Sequence, residues 1–174
     1  PFAGRSYDRG VEEAWKAPDG QRRPMPQHGF ARQGRFQILE QGEAEIRGRL
    51  MPDAAAQEAY PYAYAFEVAY LFKELSLEVT FFLENHGAAP LPWSAGHHFY
   101  FNLPWHRGAT RADYQLNMEA RKGAYQGPDG KLVAIRNRET CHDFSDTDLT
   151  DRIHWALRHN RVSFGPKGGG EDIH

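Results

Sequence analysis

The sequence predicts an all-β protein of antiparallel strands, and three observations carry that expectation. Tyr62–Phe72 and Leu75–Asn85 alternate with the two-residue period of a strand, back to back around Lys73-Glu74. The chain holds 17 glycines and 11 prolines in 174 residues, enough turn formers to separate many short strands. Aromatic residues make up 13% of it, and these fit pleated, half-buried surfaces better than helices.

Residues 1–34 are rich in proline and glycine and show no helical period, so they are expected to be loops around short strands. Phe36–Leu50 mixes apolar and polar residues in short runs broken at Gln41-Gly42, which reads as two short strands and a turn. Pro52–Ala59 has high helix propensity and an Asp near its start. Pro61 limits it to one or two turns. In the first long strand Tyr62, Tyr64, Phe66, Val68 and either Tyr70 or Leu71 share a face, the register slipping near its end; in the second, Leu75, Leu77, Val79, Phe81 and Leu83 point inward. Asn85-His86-Gly87, Pro90 and Pro92 mark a loop, after which Trp93–Leu103 reads as a third strand. A polar strand is expected at Tyr114–Met118, a turn at Gly127–Gly130 and a last apolar stretch at Arg161–Phe164. Asp151–Leu157 fits either helix or strand, because Ile153, Trp155 and Leu157 alternate between charged flanks.

Composition excludes several functions. A formal net charge of -2 supplies no basic excess to neutralise a run of phosphates, which argues against nucleic acid as a partner. The apolar runs fall far short of the roughly 20 residues that span a bilayer, so no membrane association is expected. One cysteine, Cys141, allows no internal disulfide and fits a cytoplasmic setting. The chain begins at Pro1 and stops just after the glycine run Gly168–Gly170. Since sandwiches and barrels commonly run to about 200–250 residues, it reads as a single domain incomplete at both ends.

Three clusters could carry chemistry. Pro26–Arg32 sets His28 beside Gly29 and Arg32 near Phe30: a proton carrier, a close-approach backbone and a planar fork of donors. It reads equally as a surface loop. Pro92–Leu103 contains His97 and His98, which on an extended strand point to opposite faces and so would not chelate one metal. A histidine among aromatic rings suits a sugar instead: the rings cover its C–H surface while the imidazole exchanges protons with oxygen. The competing reading packs one of the two histidines in the core. Cys141–Leu149 is acidic, with carboxylates suited to sugar hydroxyls, and it lacks the pattern of an EF-hand loop. A solvated loop explains it as well. Neither a nucleotide fingerprint nor a nucleophile elbow is present, and no cofactor or metal is expected.

In this order, His28-Gly29-Phe30-Ala31-Arg32, Tyr60-Pro61-Tyr62 with its two long strands, and His98-Phe99-Tyr100-Phe101-Asn102-Leu103 resemble the aldose 1-epimerase, or galactose mutarotase-like, family. The first motif is similar to a bacterial branch that includes hexose-6-phosphate 1-epimerases. The resemblance implies a large antiparallel β-sandwich with the sugar in a cleft across one sheet. It implies His98 as the general acid at the ring oxygen and His28 as a second histidine near the anomeric centre. Arg5 and Asp148 would bind sugar hydroxyls, with Asp146 an alternative to Asp148, and Arg32 would meet a phosphate where the sugar carries one.

Such an enzyme is an isomerase that interconverts the α and β anomers of a hexose by acid/base ring opening. The family's base is a glutamate on a strand near the C-terminus; this chain stops before such a strand, so the base is expected to be missing from it, and Glu171, in a Gly-rich turn, is a poor substitute. A carbohydrate-binding sandwich without turnover is the alternative this departure favours. The partner expected in either case is a small sugar or sugar phosphate.

Overall fold

The computed structural model describes residues 7–8, 11–97, 99–127, 132–134, 141–143, 152–157 and 162–168. Strands in antiparallel sheets dominate, with one α-helix of six residues among the described residues. Contacts divide the chain into two compact units, Pro1–Lys73 with Glu78–Phe99, and Glu74–Leu77 with Tyr100–His174.

The first unit opens with two small hairpins. β1 (Tyr7–Asp8) pairs with β2 (Val11–Glu12), and β3 (Ala14–Lys16) with β4 (Arg22–Pro24), the short strands expected of a proline- and glycine-rich start. A four-stranded meander follows in the order β5 (Arg35–Gln41), β6 (Glu45–Met51), β7 (Tyr64–Lys73) and β8 (Ser76–Asn85). β5 and β6 are longer than the sequence suggests, and their register shifts between Ile38 and Glu40, a bulge in the edge strand. Between β6 and β7 lies α1 (Ala54–Ala59). Its N-cap, Asp53, accepts a hydrogen bond from the Ala56 N–H at 2.8 Å, satisfying a donor the helix leaves unpaired. Tyr60 closes it before Pro61.

The alternation read from the sequence separates the two faces of this sheet. Leu50 and Phe66 form a buried cluster with Ala31, and Phe30, Phe36, Tyr64, Phe81, Leu83 and Ala95 pack against it. On the other face Glu67, only 6% exposed, faces Arg49 across the β6–β7 ladder. The Arg47 and Arg49 Nε–H groups donate to separate Glu67 oxygens at 2.7 and 2.8 Å, each pair closed by a second contact at 2.6 Å. Both lone-pair edges of the carboxylate are thus occupied, and the hydrogen bonds from Arg49 and Arg47 hold its pKa below the usual value despite burial. The Arg47 guanidinium also lies 4.7 Å from the centre of the Phe82 ring. The β7–β8 turn falls at Glu74-Leu75, which leaves Leu75 exposed instead of inward.

One expected strand is absent. Residues 93–97 and 99–103 form no strand, although the sequence predicts one over Trp93–Leu103. Pro90, Pro92 and Pro104 bracket the segment and remove N–H groups a ladder would need. The two-residue spacing survives without the ladder, since Ala95 packs on the core cluster and His97 on Phe81.

In the second unit β9 (Tyr114–Asn117) lies between β12 (Cys141–Asp143) and β14 (Ser163–Pro166), and β10 (Ala120–Gln126) between β11 (Leu132–Ala134) and β13 (Arg152–Leu157). The ambiguous Ile153–Leu157 alternation is therefore a strand, paired with β10. Tyr114 is fully buried against Trp105 and Phe164, and its hydroxyl accepts hydrogen bonds from the Trp105 and His106 N–H groups at 2.8 and 3.1 Å. Phe101 packs on Phe164 at 5.0 Å. All but Gly127 of the expected turn at Gly127–Gly130 and most of the acidic Cys141–Leu149 cluster lie outside the described residues.

Candidate functional site

The Pro26–Arg32 motif is a β-turn followed by a single 3-10 turn. The Pro26 carbonyl accepts from the Gly29 N–H at 2.8 Å, and His28, third in the turn, takes a left-handed φ of 67°. Histidine is among the few side chains that tolerate this region. The 3-10 turn Phe30–Arg32 then buries Ala31, sets Phe30 against Tyr60 at 5.7 Å and leaves Arg32 exposed. Gly34 ends the motif close to the core, where an added Cβ would meet Leu50 Cδ1 at 2.6 Å. Local geometry therefore explains each position of the motif: turn, core plug, exposed cation.

Phe30 is also one wall of a cavity of about 250 Å³ in the first unit. Trp15, Met25, Tyr60 and Tyr64 form further walls, Leu50, Phe66 and Leu83 come from the sheet, and Pro92–Ala95 complete it. Tyr60 organises this ring of aromatics. Its hydroxyl donates to the Pro92 carbonyl, and its ring lies 5.3–5.9 Å from those of Tyr64, Phe30 and Trp15. The Trp15 indole N–H donates to the Ala59 carbonyl at 2.9 Å, fixing β3 to the end of α1. Burial pushes the Tyr60 and Tyr64 phenols up to about 12, so both are neutral near pH 7 and act as donors or apolar faces, not as bases. The Tyr64 hydroxyl is buried without a hydrogen-bond partner. Such a lining offers flat aromatic faces for apolar surface but few polar groups.

The segment after Pro92 crosses the same face of the sheet. The His97 imidazole stacks at 5.0 Å on Phe81 and at 4.8 Å on Phe99, both at 16° between planes, and meets the edge of Tyr70 at 5.4 Å. His97 Nε2 is buried without a partner, and burial lowers its pKa below the ordinary 6.5. Of the two adjacent histidines, His97 is thus a packed one.

His28 and Arg32 are the expected site residues that the structure describes; neither lines the aromatic cavity. Arg5, His98 and Asp148, with the alternatives Asp146 and Glu171, lie outside the described residues. Sequence reasoning missed the ring of Trp15, Tyr60 and Tyr64, for which the only signal was aromatic density around Tyr60-Pro61-Tyr62. Among the described residues no three His, Cys, Asp or Glu side chains gather as a metal-binding group, and no helix is long and apolar enough to cross a membrane.

A family model described as aldose 1-epimerase matches residues 1–164. The chain belongs to the aldose 1-epimerase family. No curated protein matches it. Among solved structures it is similar to a galactose mutarotase related enzyme from Lactobacillus acidophilus, with 23% identity and a TM-score of 0.66 over 89% of this chain and 54% of that one. A galactose mutarotase-like protein from Lactobacillus casei is 18% identical, with a TM-score of 0.64 over 98% of this chain and 60% of the other. A Synechocystis protein is also 18% identical, with a TM-score of 0.61 over 99% and 63%. The fold is thus that of the galactose mutarotase-like β-sandwiches, as the sequence suggested. The chain spans less than two thirds of the length of each of these structures.

Proposed function

We propose that the protein acts as an aldose 1-epimerase, an isomerase that interconverts the α and β anomers of a hexose. Membership of the family over residues 1–164 is the observation that carries this reading. A carboxylate base takes the proton from the anomeric hydroxyl while His98 donates one to the ring oxygen. The C1–O bond of the ring breaks, the aldehyde turns about C1–C2, and closure on the opposite face gives the other anomer. His28 hydrogen-bonds near the anomeric carbon, while Arg5 and Asp148 hold hydroxyls. Each positioned acid or base contributes about 10²–10⁴ in rate.

Polarimetry of freshly dissolved α-glucose or α-galactose tests the proposal. The protein is expected to accelerate mutarotation, and His98→Ala to slow it by about 10²-fold or more. Sugar binding without acceleration would favour a carbohydrate-binding sandwich without turnover.

The exposed guanidinium of Arg32 favours one second reading, in which the sugar is a hexose 6-phosphate. Arg32→Ala would then raise KM for the phosphorylated sugar by about tenfold, the loss of one charge-assisted contact, and leave the unphosphorylated hexose unchanged. Equal losses on both sugars would remove that reading.

A further inference from the structure

His97 is built into the sheet more thoroughly than a loop residue requires. Phe81 of β8 lies flat against one side of its imidazole and Phe99 against the other, while Tyr70 of β7 closes the edge. Among the described residues the rings packed on it are apolar or phenolic. By strand alternation β7 presents Tyr64, Phe66, Val68 and Tyr70 on that side, and β8 presents Leu77, Val79, Phe81 and Leu83. The charged residues of these strands, Glu67, Lys73, Glu78 and Glu84, alternate to the other face. Nothing on either strand is placed to balance a positive charge on His97, and its Nε2 atom has no acceptor. A neutral imidazole stacks well in this half-buried slot; an imidazolium would be partly desolvated with no counter-ion on either strand.

The segment is not held by a strand ladder, so side-chain packing must fix it. Among the described residues the Tyr60 hydroxyl on the Pro92 carbonyl, Ala95 on the core cluster, His97 between its two phenylalanines and Phe101 on Phe164 anchor it. The anchor at His97 is one peptide from His98.

We propose that His97 is a positioning residue, clamped between Phe81 and Phe99 only while its imidazole is neutral, and that this clamp fixes the chain beside the proton donor His98. The inference rests on the reading of His98 as the general acid. Protonation of His97 opens the clamp, so the clamp adds to the loss of activity on the acid side. That loss is distinct from protonation of the carboxylate base, and His98 itself must be protonated to act.

The test compares the protein with His97→Phe and His97→Ala by polarimetry of α-galactose between about pH 5 and pH 8, where histidine titrates. His97→Ala should lower kcat about tenfold or more with KM little changed, because a displacement of about 1 Å at a reacting group can cost about 10²-fold. His97→Phe, which keeps the flat ring, should restore kcat near pH 7 to within about threefold of the parent and move the acid limb to lower pH. Two-dimensional NMR of the parent supplies a second measurement that needs no turnover. The His97 ring protons should show contacts to Phe81 and Phe99 that vanish as the imidazole protonates. An acid limb identical in parent and His97→Phe, equal losses in the two variants, or ring contacts that persist through protonation would each overturn the clamp. If the parent accelerates mutarotation of neither α-glucose, α-galactose nor a hexose 6-phosphate, the enzymatic reading fails and the positioning role with it. The NMR titration then still decides whether the pH-dependent clamp exists.

Discussion

Glu67 shows how one side chain can hold a sheet face in register. Its carboxylate is buried, while Arg47 and Arg49 keep 39% and 47% of their side chains exposed. The cost of breaking the trio therefore depends on which member is removed. Glu67→Gln leaves two guanidinium groups that turn to water, and it should cost about 1–2 kcal/mol in urea unfolding, the scale of lost charge-assisted hydrogen bonds. Removing both arginines strands a carboxylate in the sheet, and Arg47→Ala with Arg49→Ala should cost about 3 kcal/mol or more. Equal costs would show that the carboxylate relaxes to solvent when unpaired. The same scale explains why one histidine was legible and its neighbour was not distinguishable from it. His97 shares a two-residue spacing with Ala95 and Phe99, which marks a packed face, but spacing alone leaves open which of two adjacent histidines takes it.

At the level of elements, short-range physics was readable and long-range assembly was not. Asp53 and Pro61 bracket α1 because a cap and a missing N–H act within one turn, and β7 and β8 appear where the alternation predicts them. Asp53→Ala should lower stability by about 1 kcal/mol, measurable as a shift in the urea midpoint at unchanged slope. The segment after Pro92 misled for a physical reason. Alternation reports that side chains face a surface by turns, and an extended chain packed on a sheet satisfies that without pairing in a ladder. The aromatic cavity was illegible because Trp15, Phe30, Tyr60 and Trp93 have no common period and meet only through the fold. Its closest tie to the loop is the Tyr60 hydroxyl on the Pro92 carbonyl. Tyr60→Phe should therefore destabilise by about 1 kcal/mol. The loss should increase hydrogen exchange around Trp93–Ala95 before it affects β7, and uniform change along both segments would argue against a local role.

For the molecule as a whole, His97, packed on the sheet, and Glu67, within it, act in the same direction on acidification. His97 has its pKa lowered by burial, so below 6.5 the unfolded chain takes up a proton that the folded chain resists. Glu67 has its pKa lowered by the Arg49 and Arg47 hydrogen bonds, so its contribution is present above 4.5 and is lost as the pH falls through the folded value. Stability should thus be flat near neutrality with respect to these groups and decline in two stages on acidification. The upper stage belongs to His97 and should disappear in His97→Phe; the lower belongs to Glu67. Urea midpoints measured across that range check both, and a decline beginning at the same pH in parent and variant would contradict the assignment. Fold class was readable at this scale because family motifs and strand periodicity extend along most of the chain. The site was less so, because its expected members, from Arg5 to Asp148, are scattered over almost the whole sequence.

The aromatic packing has an optical consequence. Trp15 and Trp93 both border the cavity of the first unit, whereas Trp105 lies against Tyr114 and Phe164 in the second. Variants retaining a single tryptophan at one of these positions would emit from one unit alone. Emission from Trp93, 58% exposed at the cavity, would report changes at its mouth, and comparison of Trp15 with Trp105 during denaturation would show whether the halves melt together or in turn.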